Sequence, residues 1–361
     1  MTDPLRAELT ALTSDLVRFA STADRADQIR AACDYVAAYA QASRGVHLHR
    51  VERNGVPSVV ATLRDTRTPA IFLNGHVDVV PANPEQFTPV LRGSRLYGRA
   101  TQDMKGSVAV LMRLMRDLAA LDTPPDVGFQ FVGDEEIGGF DSTGWLLEDG
   151  WRCGFFLAAE PTDMNICYVQ KGIARIELEL TGVAGHASRP WDCVNPLVAL
   201  GQGLVALQER FPTPTEAAWR TTVVPTILQT TSRTNNQVPP AVHLTLDVRY
   251  IPDDKPQQIL EQIASCFPGA ALKPLRPIPP LDTRPDDPQV QRLARVASEV
   301  LGRESALYRE HFASDARFYS VAGIPAVCFG PVGAGLHGAD EWVDIDSLVQ
   351  LYAALHQFVS A

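Results

Sequence analysis

Five short segments gather imidazoles and carboxylates where an apolar run meets a loop. They are Asn74-Gly75-His76-Val77-Asp78, Gly98–Gly106 with Asp103 inside it, Gly133-Asp134-Glu135-Glu136-Ile137-Gly138-Gly139, Ala158-Ala159-Glu160-Pro161-Thr162 and Leu336-His337-Gly338-Ala339-Asp340-Glu341. Each has a structural reading of its own. His76 and Asp78 suit a turn histidine bonded to a nearby acid. Asp103 suits a helix N-cap. Three acids in a row at 134–136 are harder to treat as a solvated run, because they follow a buried apolar stretch without opposite charges. Together the five offer two histidines and several carboxylates, and no thiolate. That donor set suits hard-to-borderline divalent metals, and one carboxylate can bridge two ions about 3.5–4 Å apart.

The elements that must position these residues alternate in type. Pro69–Gly75, Val127–Val132 and Gly154–Ala159 read as buried strands, and Lys105–Ala119 as an amphipathic helix. A helical stretch spans about Leu5–Ala42, and further helices are expected at Val290–Leu301 and Ile345–Phe358. Alternating strands and helices predict an α/β domain with a mostly parallel sheet, where ligands gather at the carboxyl ends of strands. From Ile173 the texture changes to strand, helix, strand, strand, helix, strand, the split βαβ pattern of a small α+β domain, ending in the Pro-rich run Pro274–Pro280. The expected organisation is a discontinuous catalytic domain, 1–172 and 281–361, interrupted by a ferredoxin-like insertion at 173–280.

Composition bounds the rest. The chain has 361 residues, a net charge of −10 and 45% hydrophobic residues, globular values that suit two domains. The acidic balance argues against a nucleic-acid partner. No apolar run approaches about 18 residues, so no membrane span is expected. The opening residues carry no secretory signature. The six cysteines are scattered with no C-x-x-C pair, which reads as reduced thiols and a cytoplasmic location.

In this order and spacing, the five segments resemble the M20 family of co-catalytic zinc hydrolases, which includes deacetylases, desuccinylases and dipeptidases, over almost the whole chain. The resemblance implies that His76 and Glu160 hold one zinc, Glu136 and His337 the other, and Asp103 bridges them. Co2+ or Mn2+ are alternatives for the same donors. It further implies that Glu135 is the general base, that Asp78 orients His76 through its ring N–H, and that the Asp103-Met104 peptide is cis. Two divalent ions would offset four of the ten surplus negative charges. Glu135 and Glu136 are adjacent, and neighbours on a strand face opposite ways, so an irregular turn is required here.

The resemblance extends into the insertion. His186, in Gly182–Ser188, matches a histidine that polarises the scissile carbonyl, often across a dimer. Asn236 matches a substrate-binding asparagine, and Arg249, in Leu-Asp-Val-Arg-Tyr, an arginine that grips a substrate carboxylate; a structurally paired Arg249 is the other reading. Ser314 lies in a segment that resembles a substrate-side loop. The preceding Glu310-His311-Phe312-Ala313 departs from the Gly-Gly-Thr run of many relatives, leaving His311 either a contact or a filler. Gln170-Lys171 stands where desuccinylases often carry paired arginines, which counts against a succinylated substrate and leaves Lys171 open. The expected activity is deacylation of an N-acyl amino acid by a metal hydroxide, in the manner of acetylornithine deacetylase. A dipeptidase or carboxypeptidase on small peptides is the alternative, and a silent metal- or peptide-binding homologue the remoter one. A homodimer through the inserted domain is expected.

Overall fold

The computed structural model describes residues 3–360. The chain divides into two compact units. The first runs to Val169 and includes Leu281–Arg309 and the chain from Ser314 onward. The second comprises Gln170–Pro280 and Glu310–Ala313. The short segment 310–313, which the sequence reading leaves in the catalytic domain, thus groups with the insertion.

The first unit is built on a nine-stranded sheet. Its centre is a run of parallel neighbours: Val127–Val132 beside Ile71–His76, beside Phe155–Ala158, beside Ala326–Cys328. Every residue of Ile71–His76 and Val127–Val132 is buried, which explains why both are mostly apolar, with Asn74, His76 and Gln130 the polar exceptions. Val56–Thr62 and His47–Arg53 extend one side antiparallel, so the whole sheet is mixed. Helices Pro4–Val17, Gly106–Ala119 and Ile345–Ser360 pack together over the principal core. The helical stretch expected over Leu5–Ala42 is two helices, Pro4–Val17 and Ala26–Ala42, separated by a loop that contains Ser21.

A second, smaller sheet of this unit was not expected. Gly333–Ala334, Trp342–Asp344, Arg95–Tyr97 and Val90–Arg92 pair in that order, antiparallel throughout. It brings the chain just before Asp103 beside the loop that carries His337.

The second unit has a four-stranded antiparallel sheet in the spatial order Thr222–Thr230, Ala241–Tyr250, Gly172–Thr181, Ala271–Pro274. Numbered along the chain, this is second, third, first, fourth, the ferredoxin-like arrangement. Val242, Leu244, Leu246, Val248 and Tyr250 alternate inward and pack with Leu200, Leu207, Ile259 and Ile263 of helices Pro196–Arg210 and Pro256–Cys266. Pro and Asn set the first of these helices: Asn195 accepts from the Leu197 N–H and Pro196 opens the first turn.

Candidate metal centre

The central parallel strands deliver the carboxylates and one imidazole at their carboxyl ends. His76 is the last residue of its strand, Glu135 and Glu136 follow Val127–Val132, and Glu160 follows Phe155–Ala158. This is the edge at which open α/β sheets bind ligands. Asp103 sits in an irregular turn, Thr101–Lys105, just ahead of helix Gly106–Ala119, and its peptide to Met104 is cis. Glu135 and Glu136 lie in a single 3-10 turn, Glu135–Ile137, the irregular backbone that two adjacent inward acids require.

These residues converge. His76 Nε2 lies 3.0 Å from Asp103 Oδ1 and 3.9 Å from Glu160 Oε2. His337 Nε2 lies 3.3 Å from the other Asp103 oxygen, Oδ2, and 3.5 Å from Glu136 Oε2. Asp103 therefore presents one oxygen to each histidine, the disposition of a bridging carboxylate. Ligand atoms of His76, Glu135 and Glu160 fall within 4.8 Å of one another, as do those of His76, Asp103 and Glu136.

Asp78 is placed beside His76, but its closest contact there is through the backbone. His76 Nδ1 lies 2.9 Å from the Asp78 carbonyl oxygen and 3.6 Å from its carboxylate. The carboxylate instead accepts the N–H groups of Glu135 (3.2 Å) and Glu136 (2.9 Å). It thus caps the turn that carries both acids, while its main chain fixes the imidazole tautomer. On the other side of that turn, Arg317 Nη2 donates to the Gly138 carbonyl at 2.6 Å.

The electrostatics call for cations. Burial pushes the Glu135 and Glu160 carboxyls well above their usual range, reinforced for Glu135 by the charge of Glu160. Burial, with Asp103 beside it, pushes Glu136 up to about 7. Burial acts against a charged His76, yet the hydrogen bond to Asp103 and the charges of Glu160 and Asp78 hold its pKa well above normal. Burial also works against the Asp103 anion, but bonds from His337 and His76 keep its pKa low. Glu160 Oε1 is buried with no hydrogen-bond partner. An orphaned carboxylate oxygen among crowded acids and imidazoles, with no thiolate, fits divalent metal ions.

The expected substrate residues fare differently. His186 and Asn236 are brought together in the second unit: Gly185–His186 pairs with Gln237–Val238, and the Ala187 N–H donates to the Asn236 carbonyl. Both are exposed. The Ser188 N–H donates to His186 Nδ1, so Nε2 carries the proton of the neutral ring. Arg249 is half-buried with its fork on Asp247, at 2.8 Å and 3.4 Å. Ser314 is 1% exposed, and its hydroxyl lies 3.0 Å from Cys328 Sγ. His311 stacks edge-on with Trp219, and Lys171 Nζ lies over the same indole while donating to the Arg220 carbonyl. No role follows from the sequence for Arg99, Glu341 and Arg317, which support the site. The available signal was a charged residue within or near the ligand segments: Arg99 and Glu341 in two of them and Arg317 in the segment that follows Ser314.

Over residues 72–361 the sequence matches the description Peptidase family M20/M25/M40, and the chain belongs to that family. It is thus a metal-dependent hydrolase of amide or peptide bonds. Among curated relatives, the succinyl-diaminopimelate desuccinylase of Dinoroseobacter shibae is 28% identical, covering 98% of this chain and 97% of that protein. That of Xanthomonas campestris pv. campestris is 27% identical, covering 97% and 98%. Aminopeptidase PepT from Bacillus cereus superposes with a TM-score of 0.82 at 17% identity, over 98% of both chains. A dinuclear metal binding peptidase from Bacillus subtilis superposes at 0.73 with 14% identity, over 99% of this chain and 98% of that one. These two likenesses concern the fold.

Proposed function

We propose that this chain is a dinuclear metal amidohydrolase that deacylates an N-acyl amino acid. The observation that carries the reading is Asp103, whose two oxygens face His76 and His337 separately. His76, Glu160 and Asp103 would hold one ion, and Glu136, His337 and Asp103 the other; zinc is the first choice for such N/O donors. Bound there, the ions would supply Lewis-acid polarisation of the amide carbonyl and acidify the attacking water.

The chain's own residues do the rest. Glu135 accepts the proton of the attacking water and delivers it to the departing nitrogen. Its neighbour Asp78 holds the turn so that this carboxylate stays aimed inward. His186 offers its Nε2 proton to the developing oxyanion, and Asn236 on the same ribbon helps seat the substrate. Arg249 binds the substrate carboxylate if it exchanges Asp247 for it.

For the acyl group we favour a short uncharged chain such as acetyl. Gln170 and Lys171 are both buried, and the Lys171 ammonium is spent on the Arg220 carbonyl. A succinyl group is the second reading, favoured by what the curated relatives hydrolyse. A panel of N-acetyl and N-succinyl amino acids and dipeptides separates the possibilities. Our reading expects N-acetyl substrates to give the highest kcat/KM, with all turnover lost to a chelator and restored by Zn2+. Preference for a dipeptide or a succinyl substrate overturns the acetyl choice, and chelator-resistant hydrolysis overturns the metal mechanism.

A further inference from the structure

Two left-handed residues flank the metal centre: Ala100, at φ 63°, three positions before Asp103, and His337 itself, at φ 59°. A side chain rarely adopts this conformation, and it persists where surrounding contacts over-determine it. The same buried ion pair holds both. Arg99 and Glu341 are 2% and 1% exposed and join through Arg99 Nη1 and Glu341 Oε2 at 2.5 Å. The other Arg99 nitrogen, Nη2, donates to the His337 carbonyl at 3.0 Å. Glu341 accepts the Ala100 N–H on Oε2 (3.0 Å), and those of Gln102 (3.1 Å) and Asp103 (3.2 Å) on Oε1. Its carbonyl accepts the Gly98 N–H.

We propose that Arg99 and Glu341 form a positioning clamp that fixes Asp103 against His337 and so sets the affinity for the ion on the Glu136/His337 side. This rests on the dinuclear reading above. Neither residue reaches into the cluster of ligand atoms. Glu341 acts through the backbone N–H of Asp103, and Arg99 through the backbone carbonyl of His337. A buried ion pair is weak support for overall stability, because desolvation of both charges offsets their attraction. Its consequence here is geometric. The pair ties the turn before helix Gly106–Ala119 to the loop between Gly333–Ala334 and Trp342–Asp344, alongside the small sheet and Gln86 Nε2, which donates to the Gly338 and Ala339 carbonyls. Asp103 is common to both ions, but the Arg99 bond reaches the His337 segment alone, and His76 and Glu160 stand at the ends of central strands and accept no bond from the pair. The two ions should therefore respond unequally when it is weakened.

The test measures stepwise metal binding by competition with a chromogenic chelator in the wild type, Glu341→Gln and Arg99→Lys, with folding checked by circular dichroism. Lysine keeps the charge but cannot reach both acceptors at once. Changing the partners of metal ligands generally weakens binding by about 10–100-fold. We expect such a loss for one ion and a clearly smaller one for the other, which feels the pair only through the shared Asp103, in either folded variant. Equal weakening of both ions, or no change in either, overturns the clamp. Failure of both variants to fold also overturns it, since the pair would then serve the fold as a whole. A wild type that binds fewer than two ions refutes the dinuclear reading itself, a result distinguishable from failure of the clamp.

Discussion

At the residue scale, the site depends on where each polar group finds its partner. Asp78 shows how a side chain's type can be legible while its contact is not. A carboxylate two positions after a histidine suggests a bond to the ring, yet the ring meets the Asp78 carbonyl and the carboxylate caps Glu135 and Glu136. That choice depends on backbone direction at the strand end, which no residue pattern encodes. The thiols are simpler, because burial is the largest influence on each. Burial pushes Cys33 and Cys153 up to about 12, and Cys328 rises well above its normal value for the same reason. At pH 8 Cys33 and Cys328 should resist iodoacetamide in the folded protein and react after denaturation, whereas the half-buried Cys193 labels first; peptide mapping reads this directly. The sign for stability follows. A thiol whose folded pKa lies above its unfolded one contributes fully below the unfolded value, about 8.5, and that contribution is lost as pH rises toward 12. Urea midpoints should therefore fall through this alkaline window. Constant midpoints between pH 8 and 11, or rapid native labelling of Cys33, would contradict it.

At the scale of elements, long periodic segments were legible and short ones were not. Helix Gly106–Ala119 and strand Val127–Val132 announce themselves by their apolar patterns. The requirement for an irregular turn at Glu135–Ile137 also follows from sequence, because two adjacent acids cannot share a strand face. The small sheet of Gly333–Ala334, Trp342–Asp344, Arg95–Tyr97 and Val90–Arg92 was invisible, since strands of two or three residues carry no period. It nevertheless aligns the Asp103 and His337 segments. The acid-bearing turn ends in Gly138 and Gly139, at φ 118° and 62°. A β-carbon on Gly139 would lie 2.0 Å from Asp315 Oδ1, a buried carboxylate bonded to the Thr143 hydroxyl. Gly139→Ala should lower stability by roughly 1–3 kcal/mol, as overpacking does, and weaken metal binding with it. An unchanged urea midpoint would show that the turn tolerates the extra methyl and that Asp315 is free to shift.

At the scale of the whole molecule, the candidate residues fall on both units. The first unit gathers the metal-binding candidates His76, Asp103, Glu136, Glu160 and His337, and the second presents His186 and Asn236 on a surface ribbon. Among the described residues no helix is long and apolar enough to cross a membrane. The second unit also exposes apolar side chains on helix Pro196–Arg210 and strand Thr222–Thr230: Val198 and Val205 on one, Val224, Ile227 and Leu228 on the other. Such a surface suits a second copy of the chain. Light scattering should report a dimer, and Val205→Glu with Ile227→Lys should give a folded monomer; a monomeric wild type would contradict the pairing. The central claim, that Glu135 moves the proton at a centre holding two ions, is tested most directly on Glu135→Gln. Metal content and kcat should be measured on the same preparation. Two ions per chain are expected, as in the wild type, with kcat lower by about 10^2–10^4-fold, the usual worth of a general base. Activity within tenfold of wild type would contradict it, as would loss of an ion, which would make Glu135 a ligand.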